Sequence, residues 1–502
     1  MTEKPTVPGL GGRLAALHLP DQRGKRVAVI AAVLLLAVVA GIGVGFGVTV
    51  LTNRLVAAVP TVPPPAPVVV HPVLRPAAVN GPAPTRTGVG AVLNPLITAG
   101  GLGTLSGQVL DPVTGTVLWQ RDPGKALVPG STAKLLTSSA ALLALDHQAR
   151  LHTRVLAGAE PGTVVLLGGG DPTLSSAGPG TATGYPGAAR LDDLVSQVRA
   201  AAPGPVRRVL VDVSRYSGDA LAPGWFPTDV AGGDIAPIEP VMLDGGREDP
   251  TQEDSPRDAQ PATAAARELA RRLGADPNTV SIGTAPPGAP SGAPSGGRVL
   301  GEVSSPPIQD LVATALRRSD NVLAEALARE VARATGAQAS FSGASQAVLT
   351  VLRSHGFDVS RATLVDGSGL SVNDAVPATL LTELLGAAAA PAQPPTKSPD
   401  KLPADESHQQ RTVALRPLLV GLPVAGGSGT LVDRYHGPAA GGRGWVRAKT
   451  GTLTGVNSLA GTVLDVEGRV LVFALLSNGP NPVSVRPRLD TLATGLRSCG
   501  CH

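Results

Sequence analysis

The chain has 502 residues, a formal net charge of +4, 2 % aromatic residues and two cysteines. So small a charge at this length, with no arginine block in the body and few aromatics, argues against nucleic-acid binding by phosphate neutralisation or base stacking. Eight histidines without metal-site spacing argue against a zinc enzyme. Both cysteines, Cys499 and Cys501, fall in the last four residues, so they cannot staple a core. With His502 they read as a frayed terminus.

Val27 to Leu51 contains neither charge nor proline. At about 1.5 Å per residue, a helix over 27–51 crosses a hydrocarbon core of roughly 30 Å with some tilt. Arg23, Lys25 and Arg26 precede it and only Arg54 follows. The positive-inside rule then puts residues 1–26 in the cytoplasm and everything beyond the membrane outside. A cleaved signal peptide is the alternative. The long apolar run and the weak Val56-Ala57-Ala58 cleavage signal favour an uncleaved anchor. Nine prolines between Pro60 and Pro84 mark residues 52–90 as an extended linker. Roughly 410 residues remain, ample for a large core and more than one domain.

The first chemical motif is Ser131-Thr132-Ala133-Lys134. Pro129-Gly130 breaks the chain before it, and an Ala- and Leu-rich run to Leu145 predicts a buried helix after it. Positions i and i+3 share a helix face, so Lys134 reaches the Ser131 hydroxyl. A serine needs a base to become a nucleophile, and a lysine is one only when burial or a neighbouring cation lowers its pKa. A helix start also aims the Ser131 N–H outward, as an oxyanion donor requires. Only seven of the 42 Lys and Arg residues are lysine, so a lysine in an apolar helix is not casual. A second Ser-x-x-Lys, Ser398 to Lys401, lies in a Pro-rich stretch where a helix is implausible.

After that helix the chain turns irregular. Gly245 to Ser255 reads as polar loop, and Thr284 to Gly297 as low-complexity turn. Ser319-Asp320-Asn321 then sits between two helix-like runs, at a corner where short polar side chains project into a cleft. Taken alone, this motif reads better as a helix cap. Lys449-Thr450-Gly451-Thr452 lies on a strand, with further strands over 456–464 and 469–477. Lys, Thr and backbone N–H groups on a strand edge suit a peptide carboxylate bound by β-addition. Each motif is weak alone; the three in this order, each in a fitting setting, are not.

This trio is shared by penicillin-binding proteins and class A β-lactamases. Together with Gly168-Gly169-Gly170-Asp171-Pro172-Thr173-Leu174, Asp366-Gly367-Ser368-Gly369-Leu370-Ser371 and Gly427-Ser428-Gly429-Thr430-Leu431, it makes residues 91–490 resemble the class C, low-molecular-mass penicillin-binding proteins of peptidase family S13. The resemblance implies an α/β (α+β) transpeptidase-like, β-lactamase-like domain, with an antiparallel sheet flanked by helices. Residues 91–147 and 303–502 would form it, interrupted by an inserted β-rich domain over 148–302, with a second insertion of larger relatives reduced or absent.

The resemblance also implies a penicillin-sensitive D-Ala-D-Ala carboxypeptidase or endopeptidase acting on peptidoglycan stem peptides without metal or other cofactor. Ser131 would be the nucleophile, Lys134 its base and Ser319 the relay to the leaving amine. Asn321 would bind substrate backbone, and Lys449, Thr450, Gly451 and Thr452 the terminal carboxylate. β-Lactams would be inhibitors, and the catalytic part extracytoplasmic on a single-pass anchor. Two readings stay open beside it: a non-catalytic peptidoglycan or β-lactam receptor, and a β-lactamase, for which no deacylation base stands out.

Overall fold

The computed structural model of the protein describes residues 81–286, 297–391, 403–479 and 482–499. The expected membrane helix over 27–51, the linker up to residue 80, the second Ser-x-x-Lys and Cys501 lie outside these residues. Among the described residues no helix is long and apolar enough to cross a membrane.

Helix α1 (Arg86–Thr98) comes first. The Thr85 side chain caps it by accepting from Gly88 N at 3.0 Å. Val89, Leu93 and Ile97, four residues apart, form its buried stripe. The linker expected over 52–90 therefore overruns by one helical turn: a cap followed by an i, i+4 apolar series outweighs the prolines before it.

The chain then runs through β1 (Thr104–Asp111), β2 (Thr116–Arg121), the short β3 (Ala126–Leu127) and helix α2 (Lys134–Ala144). Next come β4 (His152–Ala157), β5 (Thr163–Leu167), α3 (Leu191–Ala201), β6 (Arg208–Asp212), α4 (Pro227–Ala231), α5 (Pro261–Leu273), β7 (Ser281–Ile282) and β8 (Val299–Ser304). It continues as α6 (Ile308–Arg318), α7 (Asn321–Ala334), α8 (Phe341–Ser354), β9 (Val376–Pro377), α9 (Ala378–Ala389), α10 (Pro403–Leu415) and α11 (Pro417–Gly421). Strands β10 (Val446–Leu453), β11 (Val456–Leu464) and β12 (Val470–Asn478) precede the last helix, α12 (Pro482–Arg497).

Five strands form an antiparallel sheet in the order β10-β11-β12-β1-β2. Its centre is apolar on both faces. Side chains alternate along a strand, so Val472, Ala474 and Leu476 join the core shared with α2, α7, α8 and α9. Leu471, Phe473 and Leu475 join the core shared with α1 and α12. A sheet covered by helices on both sides needs such continuous apolar strands. Cys499, expected in a frayed end, is 1 % exposed within the second core.

Between α2 and α6 a second sheet runs β7-β6-β5-β4-β8. The expected β-rich insertion is instead α/β. Strands β5 and β6 pair in parallel, as do β6 and β7. Parallel neighbours need a crossover, and α3 and α5 supply one each, burying Leu194, Val198, Ala266 and Leu269 in their own core with the sheet.

Candidate active site

Ser131 lies in a 3₁₀ turn, Gly130–Ala133, that runs directly into α2, so the α-helix begins at Lys134 and not at the serine. Lys134 is fully buried. Its Nζ is 3.1 Å from Ser131 Oγ and 2.8 Å from the Ser368 carbonyl, and it also bonds Asn321 Oδ1. The Asn321 oxygen and the Ser368 carbonyl only accept hydrogen bonds; the Ser131 hydroxyl also donates. A neutral amine has two N–H bonds and one lone pair. With both N–H bonds on the two pure acceptors, the lone pair faces the Ser131 proton.

Ser319 and Asp320 form the two-residue corner between α6 and α7. Ser319 takes the left-handed conformation, φ +59°, which for a residue with a Cβ persists only where the surroundings hold it. Asp320 caps α7, its Oδ1 accepting from Leu323 N at 2.8 Å. Asn321 opens that helix, and its Nδ2 donates to the Asp234 carbonyl at 2.9 Å.

Strand β10 is the edge of the five-stranded sheet. Ala425 N donates to Val446 O and Ala448 N to Pro423 O, so residues 446 and 448 turn their backbone groups away from β11. By the two-residue period, 450 and 452 face the same way. There Thr450 and Thr452 line a cleft of about 530 Å³ together with Ser131, Ser319 and Asn321. Lys449 is fully buried and donates to Ser319 Oγ and to the Thr450 carbonyl, both at 2.9 Å. Gly451 is where the strand meets the serine turn: a Cβ there would stand 2.4 Å from Pro129 O and 3.0 Å from Ser131 N. All eight residues singled out from the sequence thus converge on one place.

Residues 91–266 and 251–495 match the D-Ala-D-Ala carboxypeptidase 3 (S13) family. The chain is 47 % identical over 483 residues to carboxypeptidase DacB of Mycolicibacterium smegmatis, covering 96 % of this chain and 98 % of that one. A carboxypeptidase of Mycobacterium tuberculosis is likewise 47 % identical over 445 residues, covering 88 % of this chain and 90 % of its own. The chain belongs to the S13 D-Ala-D-Ala carboxypeptidase family. It is a D-Ala-D-Ala carboxypeptidase, as its motifs implied. Its fold is that of penicillin binding protein 4 of Haemophilus influenzae, with a TM-score of 0.61 at 20 % identity over 82 % of this chain and 98 % of that one.

Burial lowers the Lys134 pKa to about 8, while Asp366, Glu325, Asp320 and Asp374, each when ionised, pull it back up. Burial first, then the Lys134 charge, hold Lys449 well below the ordinary lysine range. Behind Lys134 the Asp366–Ser371 loop is pinned by acids. Asp366 accepts from Ser368 N, Gly369 N, Ser371 N and Trp225 Nε1. Both Glu325 oxygens accept from Gly367 N. Burial and the Asp366 charge push the Glu325 and Asp374 carboxyls well above the usual carboxylate range.

Several cleft residues escaped the sequence reading. Thr430, whose hydroxyl is 2.8 Å from that of Thr450, lies in the Gly-Ser-Gly-Thr-Leu stretch and could have been named. Asp229, Asp234, Arg247, Glu253 and Asp254, all from the insertion, also line the cleft. Arg247, Glu253 and Asp254 belong to the stretch read as polar loop, and no periodicity marks them.

Proposed function

We propose that the carboxypeptidase reaction runs through an acyl-enzyme on Ser131. The carrying observation is the Lys134 Nζ, buried and 3.1 Å from Ser131 Oγ, with two acceptor-only partners on its other sides. Neutral Lys134 takes the Ser131 proton as Oγ attacks the carbonyl between two D-alanines. The N–H groups of Ser131 and Thr452 receive the oxyanion; a Cβ on Gly130 would sit 3.1 Å from Thr452 N, which measures how near the serine turn runs to the strand. Ser319 passes a proton to the leaving amine, supported by Lys449 Nζ on its hydroxyl. Lys449, Thr450 and Thr452 take the terminal carboxylate, Asn321 takes substrate backbone, and water releases the acyl group.

A β-lactam presents a strained amide to the same groups and acylates Ser131, so the enzyme is penicillin-sensitive. The open side of β10 at Thr450 and Thr452 also leaves room for a bulkier group after the scissile bond, which supports endopeptidase cleavage of cross-linked stems. The hydropathy of 27–51 and the charges around it support an uncleaved anchor, with the catalytic part on the outer face of the cell membrane. In this reading the chain divides into a tail (1–26), an anchor (27–51), a linker (52–85), and a catalytic domain (86–147 and 303–502) interrupted by an insertion (148–302).

The test is release of D-alanine from a muramyl pentapeptide, run beside a cross-linked dimer. Cleavage of both supports the full reading, and cleavage of the pentapeptide alone restricts it to carboxypeptidase. If neither is cleaved while penicillin still labels Ser131, the reading is lost and the protein is a receptor.

A further inference from the structure

The middle residue of Ser319-Asp320-Asn321 has no role in the reaction above, yet it is the most heavily engaged of the three. Asp320 Oδ1 caps α7. A cap needs only one oxygen, and Ser, Thr or Asn would serve as well. The second oxygen is held by the insertion. Tyr185 OH donates to Asp320 Oδ2 at 2.7 Å, and Arg247 Nη2 stands 3.4 Å from the same atom. Arg247 Nη1 donates to Tyr185 OH and to the Asp244 carbonyl, both at 2.9 Å, and its guanidinium lies 5.1 Å over the Tyr185 ring. The Arg247 and Asp320 side chains are 5 % and 2 % exposed.

The insertion grips the same corner twice more. Arg318 Nη1 donates to the Gly184 carbonyl, and Asn321 Nδ2 to the Asp234 carbonyl. The second bond fixes the Asn321 amide so that Oδ1 faces Lys134. Between these grips sits Ser319, in its left-handed conformation. A buried ion pair is a poor way to gain stability over apolar packing. Its effect here is directional: it fixes where α7 starts, and so where Ser319 and Asn321 stand.

We infer that Arg247 is a positioning residue for the D,D-peptidase reaction: acting through Asp320, it holds Ser319 and Asn321 in register with Lys134, so the insertion completes the active site. Arg247 need not touch substrate to do so. Burial works against the Asp320 carboxylate, but the Arg247 and Arg257 charges keep its pKa below the ordinary range, so it is a charged partner at neutral pH.

The inference rests on the Ser131 reading above, and the test separates the two. Acylation by a fluorescent penicillin and D-alanine release are measured in the full chain for wild type, Arg247→Met, Arg247→Lys and Ser131→Ala, with melting temperatures alongside. Arg247→Met is expected to cut acylation and kcat about 100-fold, as for a misplacement of about 1 Å in a catalytic group, with KM nearly unchanged. Arg247→Lys keeps the charge but not the paired, directed bonds, and is expected to lose about tenfold. A folded Arg247→Met enzyme acylating within about threefold of wild type overturns the inference, as does a rise in KM at unchanged kcat. Should Arg247→Met fail to fold, Arg247→Lys decides by the same criteria, wild-type rates overturning the inference. Labelling that survives Ser131→Ala would count against the nucleophile and not against the clamp.

Discussion

Lys134 and Asn321 lie 187 positions apart in the chain and share a hydrogen bond from Nζ to Oδ1. One opens α2 and the other opens α7, with the whole insertion between them. That bond and the one to Ser368 O occupy both N–H groups of a neutral lysine. What remains for Ser131 is a lone pair.

The pH dependence of acylation follows from this arrangement. Lys134 titrates near 8, and its neutral form is the base. The neutral fraction rises with pH, so the second-order acylation rate should rise about 50-fold from pH 6 to pH 8 and level off above. Ionised Glu325 pulls the Lys134 pKa upward and glutamine carries no charge, so Glu325→Gln should move the midpoint to lower pH. Stopped-flow acylation between pH 5.5 and 9.5 checks both. A flat profile, or a midpoint moved upward by Glu325→Gln, contradicts the assignment.

Lys134→Arg keeps the charge and loses the base, because arginine does not give up its proton in this range. Acylation should fall about 10³-fold or more. Wild-type rates from this variant would remove Lys134 from the role.

Gly451→Ala tests how closely β10 must pass the serine turn. The added methyl would meet Ser458 Oγ at 2.2 Å and Pro129 O at 2.4 Å. Neither the strand nor the turn can yield without moving the N–H groups of Ser131 and Thr452 relative to each other. Acylation should drop about 100-fold while the protein stays folded. Circular dichroism together with penicillin labelling reads both halves of that expectation.

The anchor is checked in spheroplasts. Residues beyond 60 should be open to external protease, and the full-length chain should sediment with membranes. A soluble product that begins near Ala58 would show a cleaved signal instead.

The three motifs were legible because their chemistry is local: a lysine one turn from a serine, polar residues at a helix corner, a lysine and threonines on a strand. The sheet was legible in Val470 to Leu476, an apolar run long enough to be buried on both faces. The α/β character of the insertion was also written in the sequence and missed. Leu191, Leu194, Val195 and Val198 follow the i, i+3, i+4, i+7 pattern of an amphipathic helix. Thr85 with Val89, Leu93 and Ile97 is a similar signal, masked by the prolines before it. Arg247 is a different case. It stands in a run of polar residues with no period, and its partners Tyr185 and Asp320 are 62 and 73 positions away. Nothing local distinguishes it from a solvated arginine. The burial that lowers the Lys134 pKa was legible in the apolar run of its helix; which elements supply it, α7, α8 and α9, was not.

The most direct test of the account is the identity of the acylated residue. The protein is exposed to a fluorescent penicillin, digested, and the labelled peptide sequenced by mass spectrometry, for wild type and Ser131→Ala. The account predicts one labelled site, Ser131, no label in Ser131→Ala, and D-alanine release reduced on the order of 10⁶-fold in that variant. Label at Ser398 or Ser371, or D-alanine release that survives Ser131→Ala, would contradict it.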